Sequence, residues 1–299
     1  MSGAALSLSR RITTAGDLEG VVRAMKALAV SSIGQYERSV RALDDYARTL
    51  ELGLGACLRE RGPQPKGAPS HHGPPPRVGA VVFGSDQGLV GRFNEVVADY
   101  AEHWLEGLKG TTCKLWAVGE RVRALLPEAA QAGNPPMALP TSVGSITSMV
   151  GEILIAVEHA LEKREVSDVY VFHNAPRAAS SYAPVGKLLL PFDRAWQARI
   201  SAEPWPTKVL VQVIEGPTPA LPAFLREFLF VSLFQACAES LASENASRLA
   251  SMQRAEKNID DMLVDLNRTY HRMRQEAIDE ELFDVISGYE ALTAAKPGA

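Results

Sequence analysis

Ser243-Glu244-Asn245-Ala246-Ser247-Arg248-Leu249-Ala250-Ser251-Met252 opens a stretch that runs to Leu292 with no proline and one glycine, Gly288. Within it Met252, Ala255, Ile259, Met262, Leu266, Tyr270, Met273 and Ala277 recur at steps of three and four. After one extra residue, Ile278, Leu282, Val285, Tyr289 and Leu292 continue the rhythm. A narrow apolar stripe on a polar helix is the signature of a coiled-coil seam, which exists to be covered by another helix.

A second seam supplies the candidate partner. Leu18, Val22, Met25, Ala29, Ser32, Tyr36, Val40, Leu43, Ala47, Leu50 and Leu54 are spaced four and three almost throughout, and no proline comes before Pro63. The spacing predicts a helix from Leu18 to about Glu60. Pro217, Pro219 and Pro222 punctuate the entry to the C-terminal helix, with Thr218 as its expected N-cap. At 1.5 Å per residue the two helices would be roughly 85 and 110 Å long, and they pair most simply with each other as an antiparallel coiled coil. If their ends align near Glu60 and Leu221, Met25 faces residues 245–256. Arg274 then comes level with the start of the N-terminal helix, and the C-terminal helix has no partner left beyond about Glu281. The tip carrying Leu282, Val285, Ile286, Tyr289 and Leu292 is expected to insert into a socket on another molecule.

Between the helices, Gly62–Arg77 holds six prolines and three glycines and reads as a solvated linker, in which His71 and His72 are loop residues. Val78–Phe83, Lys114–Val118 and Asp168–Phe172 are short apolar runs separated by helical patterns over Arg92–Leu108 and Ser145–Lys163. Strands alternating with helices predict a mostly parallel sheet. Lys187–Pro191 and Lys208–Ile214 would add edge strands. The expected organisation is an N-terminal coiled-coil helix over 1–61, a Pro-rich linker over 62–77, a small Rossmann-like α/β domain over 78–216, and a C-terminal coiled-coil helix over 217–299.

Composition narrows the function. The 299 residues are 46% apolar with a formal charge of −4, which gives no general basic field for nucleic acid. Cys57, Cys113 and Cys237 lie far apart with no CxxC or Cys/His spacing, so neither a zinc site nor a disulfide framework is indicated. The most apolar segment, Phe224–Cys237, is too short to span a bilayer. Gly84-Ser85-Asp86-Gln87-Gly88-Leu89-Val90-Gly91 follows a strand and opens a helix, where phosphate loops sit. It has neither the GxGxxG nor the GxxxxGK[ST] spacing, and reads as a structural turn. His103, His159 and His173 stand at no ligand spacing. No catalytic, cofactor or metal residue is assigned. Charge along the C-terminal helix is polarised: six basic residues outnumber four acidic ones between Arg248 and Gln275, whereas Glu276, Asp279, Glu280, Glu281 and Asp284 make the following turns acidic.

Several segments resemble the gamma subunit of F-type ATP synthases, the central rotor shaft. Leu241–Arg248 is similar to that family's L-A-S-E-x-x-A/S-R signature, Asn267–Gln275 to its Y-N-x-x-R-Q segment, and Ile286–Leu292 to its closing I-x-x-G-A-x-A. Ser85–Asn94 is similar to its S-D-R-G-L-C-G-G-x-N turn, and Arg11-Ile12 with Ala24-Met25-Lys26 to its N-terminal helix. The chain departs from the pattern at Asp17–Val22, at Gln87, Val90 and Arg92, and in the acidic run after Gln275, which marks a divergent member. From about Lys109 to Pro217 only the order of elements agrees.

The resemblance implies a shaft that couples rotation of a membrane c-ring to sequential conformational changes of catalytic beta subunits. Implied partners are alpha and beta subunits, an epsilon subunit and the c-ring, with no nucleic acid, at the cytoplasmic face of a bacterial inner membrane. By motif position, Met25, Arg274 and Gln275 would touch the beta subunits, and the aromatic-rich Phe224–Phe234 would stand near the ring. A stand-alone coiled-coil scaffold with a globular head shares the two rods. A nucleotide-dependent enzyme built on the α/β domain would rest on the Gly84–Gly91 turn alone.

Overall fold

The computed structural model describes residues 3–61, 77–108, 112–177, 181–192, 194–209, 211–214 and 216–294, the side chains of residue 3 and of 291–294 excepted. The Pro-rich segment expected at 62–77 therefore lies outside the described residues except for Arg77, and so does the side chain of Leu292.

Helix α1 spans Gly3–Arg61 and helix α6 spans Pro217–Ala294. Both begin earlier than their seams suggest. Leu8, Ile12 and Ala15 extend the stripe of α1 past Gly16 and Gly20, and Pro217 opens α6 so that Thr218 falls inside the first turn. The chain forms two compact units, residues 1–28 with 249–299 and residues 29–248.

In the first unit, Leu8, Ala15 and Leu266 are buried, with Ile12, Leu263, Tyr270 and Met273 packed against them. Lys26 pairs with Glu256. As the number on α1 rises the number of its neighbour on α6 falls, so the two segments run antiparallel.

The second unit is an α/β sandwich. Strands β1 (Arg77–Phe83), β2 (Thr112–Val118), β3 (Asp168–Pro176) and β4 (Tyr182–Leu190) form one sheet in the order β2-β1-β3-β4. The first three are parallel, with Val81 flanked by Trp116 and Val171, and β4 runs antiparallel to β3. Helix α2 (Phe93–Glu106) lies in the first crossover, and the short α3 (Glu120–Arg123) and the long α4 (Val143–Glu162) in the second. A parallel sheet covered on both faces needs strands apolar on both sides, which Val78–Phe83 supplies. Val81, Phe83, Trp116 and Val118 face α4 and the segments of α1 and α6 in this unit. Ala80, Val82, Leu115 and Ala117 face Val97, Ala98 and Ala101 of α2. By length and composition α4 and part of α6 could cross a membrane. In this fold their apolar faces are core instead: Ile146, Val150, Ile153 and Val157 of α4, and Leu229, Leu233 and Cys237 of α6.

One expectation is corrected. Residues 208–214 form no strand among the described residues; Val209, Val211 and Ile214 are exposed and pair with no sheet edge. The aromatics of Phe224–Phe234 are half-buried at Phe224, Phe228 and Phe230 and buried at Phe234. Phe228 packs edge-on against Phe192 and Trp196, with centroids 5.7 and 5.1 Å away. Trp196 belongs to a further helix, α5 (Arg194–Ala202), which the sequence pattern did not announce.

Candidate functional site

The place where a doubly wound sheet binds a ligand is the crevice at the carboxyl ends of its strands, where the chain order reverses. Here the order reverses at β1, which has β2 on one side and β3 on the other, and the turn Gly84–Gly91 follows it. The side chains of that turn are spent on holding it. The Ser85 amide donates to Asn94 Oδ1 at 2.8 Å, and Asn94 Nδ2 donates to Ser85 Oγ at 2.8 Å, both buried. Asp86 accepts from the amides of Glu120 at 3.0 Å and Leu139 at 2.9 Å. Gly84 has no room for a side chain: a Cβ there would meet Val122 Cβ at 2.3 Å. Leu89 and Gly91 both adopt left-handed backbone, at φ 64° and 59°.

What fills the crevice is α6. Ala236, Ser240, Ser243 and Ser247 form a buried row of small residues at steps of four, three and four. That row lets the helix come close enough for Ser247 Oγ to donate to the carbonyl of Val90. Glu244 is buried beside it and pairs with Arg248, which also donates to Asn245 Oδ1 at 3.3 Å. Burial pushes the Glu244 carboxyl up, partly opposed by Arg248. The Leu241–Arg248 signature is thus a docking strip between α6 and the turn after β1.

A pair that no local pattern announced lies farther along the same face of the sheet. His173 of β3, fully buried, meets Glu239 of α6 at 2.7 Å, and Gln235 Nε2 donates to the second carboxylate oxygen at 2.9 Å. Burial alone would raise the Glu239 carboxyl; the hydrogen bond and charge of His173, with Lys187 nearby, outweigh it and leave the group below its usual range. The two residues are 66 positions apart, so only the fold brings them together.

The predicted contact residues all fall in the first compact unit, at separate levels. Met25 is half-buried beside the Lys26–Glu256 pair. Arg274 and Gln275 are exposed on α6, 18 residues beyond Glu256, or roughly 27 Å along the helix. From Ile278 to Glu290 every residue is exposed. In that span Leu282 is 57% exposed and Val285 70%, and Ile286 and Tyr289 are also open; Phe283, absent from the predicted stripe, is 67% exposed. Among the described residues no group of three His, Cys, Asp or Glu side chains is placed to hold a metal ion.

A family model described as ATP synthase matches residues 5–292, nearly the whole chain. The chain is 28% identical to the ATP synthase gamma chain of Granulibacter bethesdensis, over 96% of its own length and 98% of the relative's. It is 27% identical to the ATP synthase gamma chain of Fuscovulum blasticum, over 95% and 98%. The chain belongs to the ATP synthase gamma-chain family. Membership makes it an ATP synthase subunit, and its role is that of the family's central rotor shaft. Two solved structures share the fold at low identity. A chain of the Euglena gracilis mitochondrial ATP synthase, solved as OSCP/F1/c-ring in rotational state 3, gives a TM-score of 0.62 at 16% identity, covering 99% of this chain and 97% of that one. A rotor chain of the same organism's enzyme gives 0.60 at 15% identity, covering 92% and 99%. In this gamma-chain family member the glycine-rich turn is an internal clasp for the C-terminal helix. Among the described residues, the far end of that helix carries a run of exposed apolar side chains.

Proposed function

We propose that this chain is a non-catalytic shaft working at the cytoplasmic face of a bacterial inner membrane, with helices 1–61 and 217–299 as its rods and 78–216 as its head. The observation that carries this reading is the exposed end of α6. Beyond the segment paired with α1, every residue of Ile278–Glu290 is exposed, yet the run carries Ile278, Leu282, Val285, Ile286 and Tyr289. An apolar stripe this open on a helix is a surface for another protein.

In this reading the tip turns inside a ring of alpha and beta subunits, and Met25, Arg274 and Gln275 meet the beta subunits at their two levels. The α/β unit meets the epsilon subunit and the c-ring. The half-buried aromatics Phe224, Phe228 and Phe230 stand near the ring, joined by the stretch after α5, where Trp205, Val209, Val211 and Ile214 are exposed. The shaft does no chemistry. Each orientation favours a different conformer of the beta subunit it faces, and rotation moves that preference from one to the next through differential contact energy.

Reconstitution tests the proposal. The purified chain alone should hydrolyse no ATP, and alpha and beta subunits should need it for turnover coupled to the membrane sector. Coupling that is equally good without the chain overturns the shaft. A stable particle indifferent to alpha and beta subunits would favour the scaffold.

A further inference from the structure

One cavity lies wholly within the second compact unit, where α1, β4, α5 and α6 meet. Its volume is about 420 Å³, within the range of small-molecule sites. Leu189 and Val231, both buried, line it together with Pro191 and three half-buried rings, Phe192, Trp196 and Phe228. The rings brace one another. The centroids of Phe192 and Trp196 are 4.5 Å apart, and Phe228 stands edge-on to both, at 5.7 and 5.1 Å. Rings held this way keep the cavity open instead of folding into it.

The polar side chains of the lining are Glu51, Lys187, Ser232 and Gln235, and two of them are committed elsewhere. Glu51 pairs with Arg199 of α5 at 3.2 Å, and Gln235 Nε2 donates to Glu239 at 2.9 Å. Glu239 feels the charge of Lys187, but its other oxygen is taken by His173 at 2.7 Å. That leaves Lys187 and Ser232. Among the described residues Lys187 has no salt-bridge partner. An apolar cavity with one uncompensated cation selects a ligand with an apolar body and a single anionic head. A cationic head would be repelled by Lys187, and a neutral one would leave it unpaired. The lysine ammonium is a compact charge on a flexible four-carbon stem, so it can meet a carboxylate without the fixed fork geometry of an arginine.

We infer that this cavity is a binding site for a medium-chain aliphatic carboxylate. The tail lies against Phe192, Trp196, Phe228 and Val231, and the head pairs with Lys187, with the Ser232 hydroxyl as a second donor. Walls from both long helices, β4 and α5 exist together only in the folded unit. An occupant therefore binds the folded chain in preference to the unfolded one and stabilises it. The site does not depend on the shaft reading.

The test uses the full chain with octanoate, decanoate, decanol and decyltrimethylammonium, each below its micelle-forming concentration, followed by calorimetric titration and thermal unfolding. Decanoate should bind saturably, tighter than octanoate by about fourfold per added methylene. At about ten times its Kd it should raise the Tm by about 2–4 °C. Lys187→Gln should weaken decanoate by about tenfold and leave decanol unchanged, a split that a general loss of structure would not produce. Lys257→Gln, an exposed lysine of the first compact unit, should change neither. Ala47→Trp, which fills the cavity, should remove decanoate and decanol binding alike; if it fails to fold, Lys187→Gln decides. Decanoate binding that does not saturate, that is no stronger than decyltrimethylammonium binding, or that Lys187→Gln leaves unchanged overturns the site. The shaft reading is untouched by that result, because its reconstitution is scored without these ligands.

Discussion

Replacing Leu282 and Val285 together with serine separates folding from assembly. Both residues lie on the exposed stripe of α6, at 57% and 70% exposure, so neither contributes much buried area to the chain by itself. Surface changes of this kind usually alter global stability by less than about 0.5 kcal/mol. Full burial of a leucine or valine side chain gives about 1.5–3 kcal/mol; scaled by the area still exposed, a socket that covers both gains about 1–2 kcal/mol from each. Losing both should weaken binding to the alpha-beta ring by about 3 kcal/mol, or about a hundredfold in Kd. The assays are thermal unfolding of the free chain and titration of the chain into the ring. The expected result is an unchanged Tm and a Kd raised by about two orders of magnitude. An unchanged Kd would show that the stripe stays in water and would remove the ground for inserting the tip. A large fall in Tm would show that the stripe packs within the chain.

Asn94→Ala should act in the opposite way, on the fold and hardly on the tip. It strands the buried Ser85 amide and removes the bond to Ser85 Oγ, for a loss of about 2–4 kcal/mol measurable by urea unfolding. Glu239→Gln should flatten the acid limb of the stability curve. The folded Glu239 carboxyl lies below its ordinary value of 4.5, so its ionised form stabilises the fold fully above that pH, and the gain is lost as pH falls through the lowered value. The wild type should therefore exceed the variant above pH 4.5 and converge with it in stronger acid, as followed by denaturant midpoints across pH. Alanine at both Arg274 and Gln275 should leave helix content intact and weaken coupling, because both side chains are exposed. A loss of ellipticity instead would make them structural.

The seam periodicities made the two long helices and their antiparallel pairing legible, because a stripe at steps of three and four has few other uses. The seam read from spacing alone starts only at Leu18 because Gly16 and Gly20 interrupt the pattern, although Leu8, Ile12 and Ala15 continue it to a buried contact with Leu266. Residues 208–214 show why strand propensity is a weaker guide. Val209, Val211, Val213 and Ile214 favour an extended chain, yet a strand exists only where an edge pairs with it, and the sequence does not state which edge is open. The partial cover of Phe228 carried no sign in the sequence, since Trp196 and Phe192 come from a short helix and its approach about thirty residues earlier. The clasp between Ser247 and Val90 and the pair His173–Glu239 join residues 157 and 66 positions apart. Spacing along the chain holds no record of such contacts.

The central claim is mechanical, and rotation tests it most directly. A marker bead fixed to the exposed face of the α/β unit, with the alpha-beta ring held on a surface, should turn in one direction in discrete steps when ATP is supplied, and stop when ATP is removed. Sustained ATP hydrolysis by that complex with a motionless bead, the chain remaining bound throughout, would contradict the account.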